Sequence, residues 1–237
     1  MSSAPEFPIT QSQQVFQSGG KSIRLDAYLP AGSDLSPLPA VIALYGAGGG
    51  VAGMEKYAGM LAAKGFAVYL LHYFDRGGIE PEAVPALMKQ TIVRNFPGWM
   101  KTLWDATSFV ATQPQVDSER IALLGFSLGA YLSLANSAID GRVKAVVEFF
   151  GGMPKEMNFF MRRLCPVLIL HGDADQTVPV EEAYSLQKLL EKKGIAYEIK
   201  IYPGAGHGFK DESVWRDAAP RSLQFLQKYV AENSNSR

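Results

Sequence analysis

The pentapeptide Gly125-Phe126-Ser127-Leu128-Gly129 constrains this chain more than any other stretch. A run of buried-strand type, Arg120-Ile121-Ala122-Leu123-Leu124, leads into it, and Ala130 to Asn136 behind it reads as a helix. A G-x-S-x-G between a strand and a helix forces a sharp turn, with Ser127 at its tip on strained backbone and its hydroxyl exposed. Gly125 and Gly129 carry no side chains, so strand and helix can approach each other there. The Leu128 N–H falls in the first turn of the helix, without an intrahelical acceptor and near the positive end of the dipole. Negative charge developing on an oxygen is stabilised at such a place. An ordinary glycine-rich turn would carry the same five letters, so the rest of the chain has to decide.

Composition removes several classes of function. Of the 237 residues 47% are hydrophobic and 19% charged, as in an ordinary globular protein with a large core. Lys plus Arg and Asp plus Glu number 23 each, so no basic surface for nucleic acid or an anionic membrane is expected. The one cysteine, Cys165, excludes an intramolecular disulfide. It opens an apolar strand and reads as a small buried hydrophobe. The first residues, Met1 to Glu6, have neither the basic segment nor the apolar core of a signal peptide, and no apolar run is long enough for a bilayer. A cytoplasmic location is the expectation. No histidine or cysteine cluster calls for a metal, and neither a metal nor an organic cofactor is expected.

Along the chain, residues 1–12 read as a flexible polar arm, 13–231 as one α/β domain, and 232–237 as a flexible tail. Gln14–Gln17 and Ser22–Leu29 alternate around Ser18-Gly19-Gly20-Lys21, which predicts a hairpin with one solvated face. Ala40–Tyr45 and Phe66–Leu71 are continuously apolar, as central parallel strands are, with a helix from Met54 to Lys64 between them. An irregular stretch from His72 to about Pro97 contains a short helix around Glu82–Thr91, and a longer helix follows from about Trp99 to Gln113. Beyond the serine turn, strands are predicted at Val143–Glu148, Val167–Leu170 and Tyr197–Ile201, with helices at Val180–Lys193 and Val214–Val230. This alternation specifies a mostly parallel central sheet with helices on both faces, an α/β class in which chemistry sits at the carboxyl ends of strands.

Serine is a weak nucleophile and needs a base. Among the three histidines, His207 lies in Tyr202-Pro203-Gly204-Ala205-Gly206-His207-Gly208-Phe209, after the last strand and before the last helix. That position fits the chain order Ser…Asp…His. His171 reads as structural, holding the neighbouring acid loop by a hydrogen bond, and His72 as a packing or substrate-lining residue. The histidine needs a carboxylate partner. Asp173 and Asp175 both follow the strand ending at Leu170; Asp175, further from the strand end, is the better placed to reach outward. The run Gly46-Ala47-Gly48-Gly49-Gly50 after the third strand offers further unobstructed N–H groups. It lacks the G-K-[ST] of a phosphate loop.

These three motifs, taken with Val116-Asp117-Ser118-Glu119 before the serine strand, resemble the α/β-hydrolase superfamily and within it the dienelactone hydrolase family, over nearly the whole chain from Phe16 to Val230. The resemblance implies an α/β-hydrolase fold and a catalytic triad of Ser127, Asp175 and His207. It also implies oxyanion donors at the N–H groups of Ala47 and Leu128. Three departures stand out. Ser127 replaces the cysteine of dienelactone hydrolases proper, Gly46 stands where they carry an acidic residue, and Asp211 stands where they place an arginine four residues after the histidine.

The expected reaction is hydrolysis of a small carboxylic ester, lactones included, through an acyl-serine. Apolar residues of the rim loops, among them Tyr45, Phe74, Trp99 and Met153, are candidates for the substrate pocket, and residues 152–160 for a lid. Two other readings remain at this level: a peptidase or amidase with the same triad, and a non-catalytic ligand-binding protein on the same fold. The sequence sets no oligomeric state.

Overall fold

The computed structural model describes residues 6–32, 37–47, 51–79, 89–155, 157 and 164–232. The chain divides into two compact units, Met1–Ile121 and Ala122–Arg237.

The first unit opens with a hairpin of two ten-residue strands, β1 (Ile9–Ser18) and β2 (Lys21–Pro30), paired antiparallel from Ile9↔Pro30 to Ser18↔Lys21. Gly19 and Gly20 close it with φ of 55° and 76°, the left-handed pair that matches the twist of a two-residue hairpin turn. Residues 9–12, expected in a loose arm, therefore belong to β1. Their side chains are exposed, so no burial pattern marks them as a strand; pairing with β2 holds them.

β2 pairs antiparallel with β4 (Ala67–Leu71), which pairs parallel with β3 (Leu38–Leu44). All residues of β3 and β4 are buried, which is why both read as unbroken apolar runs. Helix α1 (Val51–Ala63) links them, and a short 3-10 helix, Tyr73–Gly77, follows β4. Helix α2 (Lys89–Ala111) begins ten residues before the expected Trp99 and runs through Pro97. Proline withdraws the bond to the carbonyl four residues back. That carbonyl belongs to Val93, a solvent-exposed residue, where water can serve it. Of the short helix expected at Glu82–Thr91, residues 82–88 lie outside the described residues, and 89–91 belong to α2.

Strand β5 (Val116–Phe126) carries the chain into the second unit. There follow α3 (Leu128–Ser137), β6 (Val143–Phe149), β7 (Val167–Gly172), α4 (Glu181–Lys193), β8 (Tyr197–Tyr202) and α5 (Glu212–Leu226), the last continued by a π-helical turn, Gln227–Ala231. β6, β7 and β8 are parallel neighbours. The eight strands lie in the order β1-β2-β4-β3-β5-β6-β7-β8, a mostly parallel sheet accompanied by helices: the α/β-hydrolase fold. No described helix is long and apolar enough to cross a membrane.

Helix ends follow elementary chemistry. α4 has Glu181 and Glu182 in its first turn, Lys192 and Lys193 in its last, and left-handed Gly194 as its stop. α5 starts at Asp211, whose Oδ1 accepts the Ser213 N–H at 2.8 Å. A close passage lies at Gly125, where a Cβ would run into the backbone of Gly129 and Ala130.

Two outcomes follow for stability. Gly125→Ala drives backbone against backbone and should cost at least the ~1–3 kcal/mol usual for overpacking, read as a lowered urea midpoint or loss of soluble protein. Asp211→Ala removes one cap and should cost about 1 kcal/mol in the same titration, with the circular dichroism of the native state unchanged.

Candidate active site

β5 delivers the chain to Ser127 at φ 50° and ψ −117°, a left-side conformation that a side-chain-bearing residue holds only when its surroundings enforce it. The Ser127 N–H donates to the Phe149 carbonyl at the end of β6 (2.9 Å), and the Ser127 carbonyl accepts the Ala130 N–H (2.9 Å) and Tyr131 N–H (3.2 Å). The backbone is thus fixed on both sides of the side chain. Ser127 Oγ lies 3.0 Å from His207 Nε2, and His207 Nδ1 lies 2.7 Å from Asp175 Oδ2. A carboxylate only accepts, so the proton is assigned to Nδ1 and Nε2 is left with its lone pair toward the serine hydroxyl.

Asp175 is held just as firmly. Its carboxyl group is fully buried, and Oδ1 accepts the N–H groups of Thr177 (2.8 Å) and Val178 (2.9 Å), leaving Oδ2 for the histidine. The other aspartate of that loop does different work. Asp173 Oδ1 accepts the Gly204 N–H at 2.6 Å and ties the acid loop to the histidine loop. The same two loops touch at Gly172, where a Cβ would collide with the Ala205 carbonyl. His171 lies at the end of β7 with Nε2 2.9 Å from the Val178 carbonyl. Burial pushes its pKa down, so the ring is neutral and donates that N–H. It also stands 3.6 Å from Asp175 Oδ2.

Three supports are invisible in the sequence. Phe150, at φ 41°, sets its ring edge-on to His207 with centroids 4.9 Å apart. Phe209, at φ 46°, packs on Phe150 (5.0 Å) and Tyr202 (5.1 Å). Trp215 on α5 donates Nε1–H to the Phe209 carbonyl at 2.8 Å. A phenylalanine beyond a strand end carries no signal by itself; only the positive φ betrays its task.

The remaining candidates fall in different places. Leu128 is the first residue of α3, and its N–H has no backbone acceptor among the described residues. Ala47 follows β3 in the first unit; Gly48–Gly50 lie outside the described residues. Tyr45, Phe74 and Trp99, candidates for the substrate pocket, are each at most 1% exposed. They pack on one another in the first unit, with centroids 5.5 Å apart for Tyr45–Phe74 and 5.0 Å for Phe74–Trp99. The large apolar area of aromatic rings favours that interior cluster. Met153, beyond β6, is buried too. His72 is a packed residue whose Nε2 meets Asp26 Oδ2 at 2.5 Å. Of the lid expected at 152–160, residues 156 and 158–160 lie outside the described residues.

Comparison with known proteins agrees with this architecture. Over 184 residues the chain is 26% identical to a putative carboxymethylenebutenolidase of Yersinia pestis, covering 73% of this chain and 69% of that protein. It is 33% identical over 151 residues to acyl-coenzyme A thioesterase 5 of Mus musculus, covering 63% of this chain but only 32% of the thioesterase, so it spans about a third of that relative's length. The crystal structure of a putative dienelactone hydrolase from Klebsiella pneumoniae superposes with a TM-score of 0.80 at 22% identity, covering 94% of this chain and all of that one. The family model for the dienelactone hydrolase family matches residues 25–233, and this chain belongs to that family of hydrolases.

Proposed function

We propose that the protein hydrolyses small carboxylic esters, lactones included, through an acyl-serine intermediate. The observation that carries this reading is the hydrogen-bonded chain from Asp175 through His207 to Ser127, with the serine on a strained strand-to-helix turn. The Ser127 hydroxyl attacks the carbonyl carbon as its proton passes to His207 Nε2. The imidazolium so formed is stabilised by Asp175, which takes no proton itself. His207 then gives the proton to the leaving alcohol, and water repeats the sequence on the acyl-serine.

The negative oxygen of each tetrahedral intermediate falls to backbone donors. The Leu128 N–H is one, supported by its place at the first turn of α3. The Ala47 N–H is the other, on the strength of the family resemblance. Thioesters break by the same steps, with a better leaving group. They belong in the substrate search because relatives of this chain are named acyl-coenzyme A thioesterases.

The test is a series of 4-nitrophenyl esters and acyl thioesters of rising chain length. Ser127→Ala should abolish turnover while native circular dichroism persists; an unchanged rate would refute the assignment. Asp175→Asn should lower kcat by about 10⁴-fold, because the histidine is then held in the wrong tautomer. A fluorophosphonate should label the native protein at Ser127. Labelling without ester turnover would shift the reading to an amidase, and absence of labelling to a ligand-binding role.

A further inference from the structure

The steps above leave one carboxyl group without a task. Glu148, near the end of β6, is fully buried. Its Oε2 accepts the Gly151 N–H at 2.9 Å, and its Oε1 has no hydrogen-bond partner among the described residues. A buried carboxyl is rarely left so poorly provided for, because its charge would go uncompensated.

The turn that Glu148 ties is the one that supports both reacting side chains from behind. Phe149 gives its carbonyl to the Ser127 N–H at 2.9 Å. Phe150 holds its ring against His207 from a backbone conformation that is unfavourable for a bulky residue. Gly151 lies against the serine turn: a Cβ there would stand 3.2 Å from both the Ser127 carbonyl and Glu148 Oε2. The Glu148–Gly151 bond closes this three-residue turn.

We propose that Glu148 is a positioning residue: as a neutral carboxylic acid it stays buried and latches the Phe149–Gly151 turn, so holding Ser127 and His207 in register, whereas its ionisation puts on the group a buried charge that the single Gly151 N–H does not compensate, draws the carboxylate toward water and loosens the turn. The catalytic consequence rests on the esterase reading; the latch itself does not.

The surroundings favour the neutral acid. Burial pushes the Glu148 pKa up to about 8, against the opposing pull of the Gly151 N–H. From α3 it is faced by Tyr131, a phenol whose own pKa is raised, first by burial and then by Glu182, Glu148 and Asp175. Glu182 on α4 reaches the same corner, beside Gly152. The neighbour across on β7 is Ile169, and α5, which also packs on β6, buries Ala218, Ser222 and Phe225. The π-helical turn Gln227–Ala231 also packs on β6, but its Lys228 is directed to Glu198 Oε1 at 3.2 Å, and no lysine or arginine bonds to Glu148 among the described residues. A charge on Glu148 would therefore have no cation paired with it among those residues.

The sign for stability follows. The native state keeps the proton up to about pH 8, whereas the unfolded chain loses it near 4.5. Between those values the native state binds more protons, so rising pH costs stability, and the loss levels off above the folded pKa. Glu148→Gln keeps an oxygen for the Gly151 N–H and has no proton to lose.

The experiment compares wild type and Glu148→Gln from pH 5 to 9.5. The wild-type melting temperature should fall relative to the variant between pH 5 and 8, then run parallel to it. The rate of Ser127 labelling by a fluorophosphonate should drop in the wild type above pH 8 and not in the variant. A pH-independent gap in melting temperature, or the same alkaline decline in both proteins, would overturn the proposal. The melting comparison needs no turnover, so it reads Glu148 even if no ester is hydrolysed. Should Glu148→Gln fail to fold, infrared difference spectra of the wild type between pH 7 and 9.5 decide instead. The proposal requires loss of a protonated-carboxyl band, and absence of that loss defeats it.

Discussion

Backbone meets backbone where β5 turns into α3, and the site of the second unit follows from that crossing. With no Cβ at Gly125, the strand end can lie against the Gly129 carbonyl, and the chain has one short residue in which to reverse from extended to helical. That residue is Ser127, and its positive φ is the geometric cost of the reversal. The strain is not local to the serine. Phe150 and Phe209 also hold positive φ, and they touch His207 or one another. Three unfavourable conformations around one hydrogen-bonded chain are sustained by the buried rings of Phe126, Phe149 and Tyr202 and the half-buried ring of Trp215 packed against them. The aromatic core of the second unit thus serves geometry as well as burial.

Two carboxyl groups of this region differ in what the backbone offers them. Asp175 receives two N–H groups on one oxygen and an imidazole on the other. Glu148, equally secluded, receives one N–H and nothing more. The number of donors aimed at a carboxyl decides whether its charge can be kept in a dry interior. A few ångströms of loop path therefore separate a group suited to stabilise an imidazolium from one suited to stay neutral.

Much of this was legible in the sequence, because the signals were local. Strands such as Ala40–Leu44 are buried on both faces and therefore apolar throughout. The glycines around Ser127 and His207 mark turns that only they can make. The choice between Asp173 and Asp175 was readable as reach, although the sequence did not reveal that Asp173 would hold Gly204. What escaped was non-local. The start of β1 is exposed and polar, so it has no period to read. Pro97 reads as a helix break, yet the carbonyl it orphans belongs to an exposed residue. Tyr45, Phe74 and Trp99 follow strand or loop ends, and nothing in the chain order says that their rings pack on one another.

The contact of Gly172 with Ala205, together with the Asp173–Gly204 hydrogen bond, joins the acid loop and the histidine loop into one body. This divides the second unit by its tolerance of change in length. The connection from α4 to β8 turns at left-handed Gly194, which has open space around it, and its bond to β7, from the Val167 N–H to the Ala196 carbonyl at 3.1 Å, involves neither the acid loop nor the histidine loop. A residue added between Gly204 and His207, by contrast, lengthens the path from the Asp173–Gly204 tie to the ring that meets Asp175. Diversification of this architecture by insertion has its freedom on one side of β8 and almost none on the other.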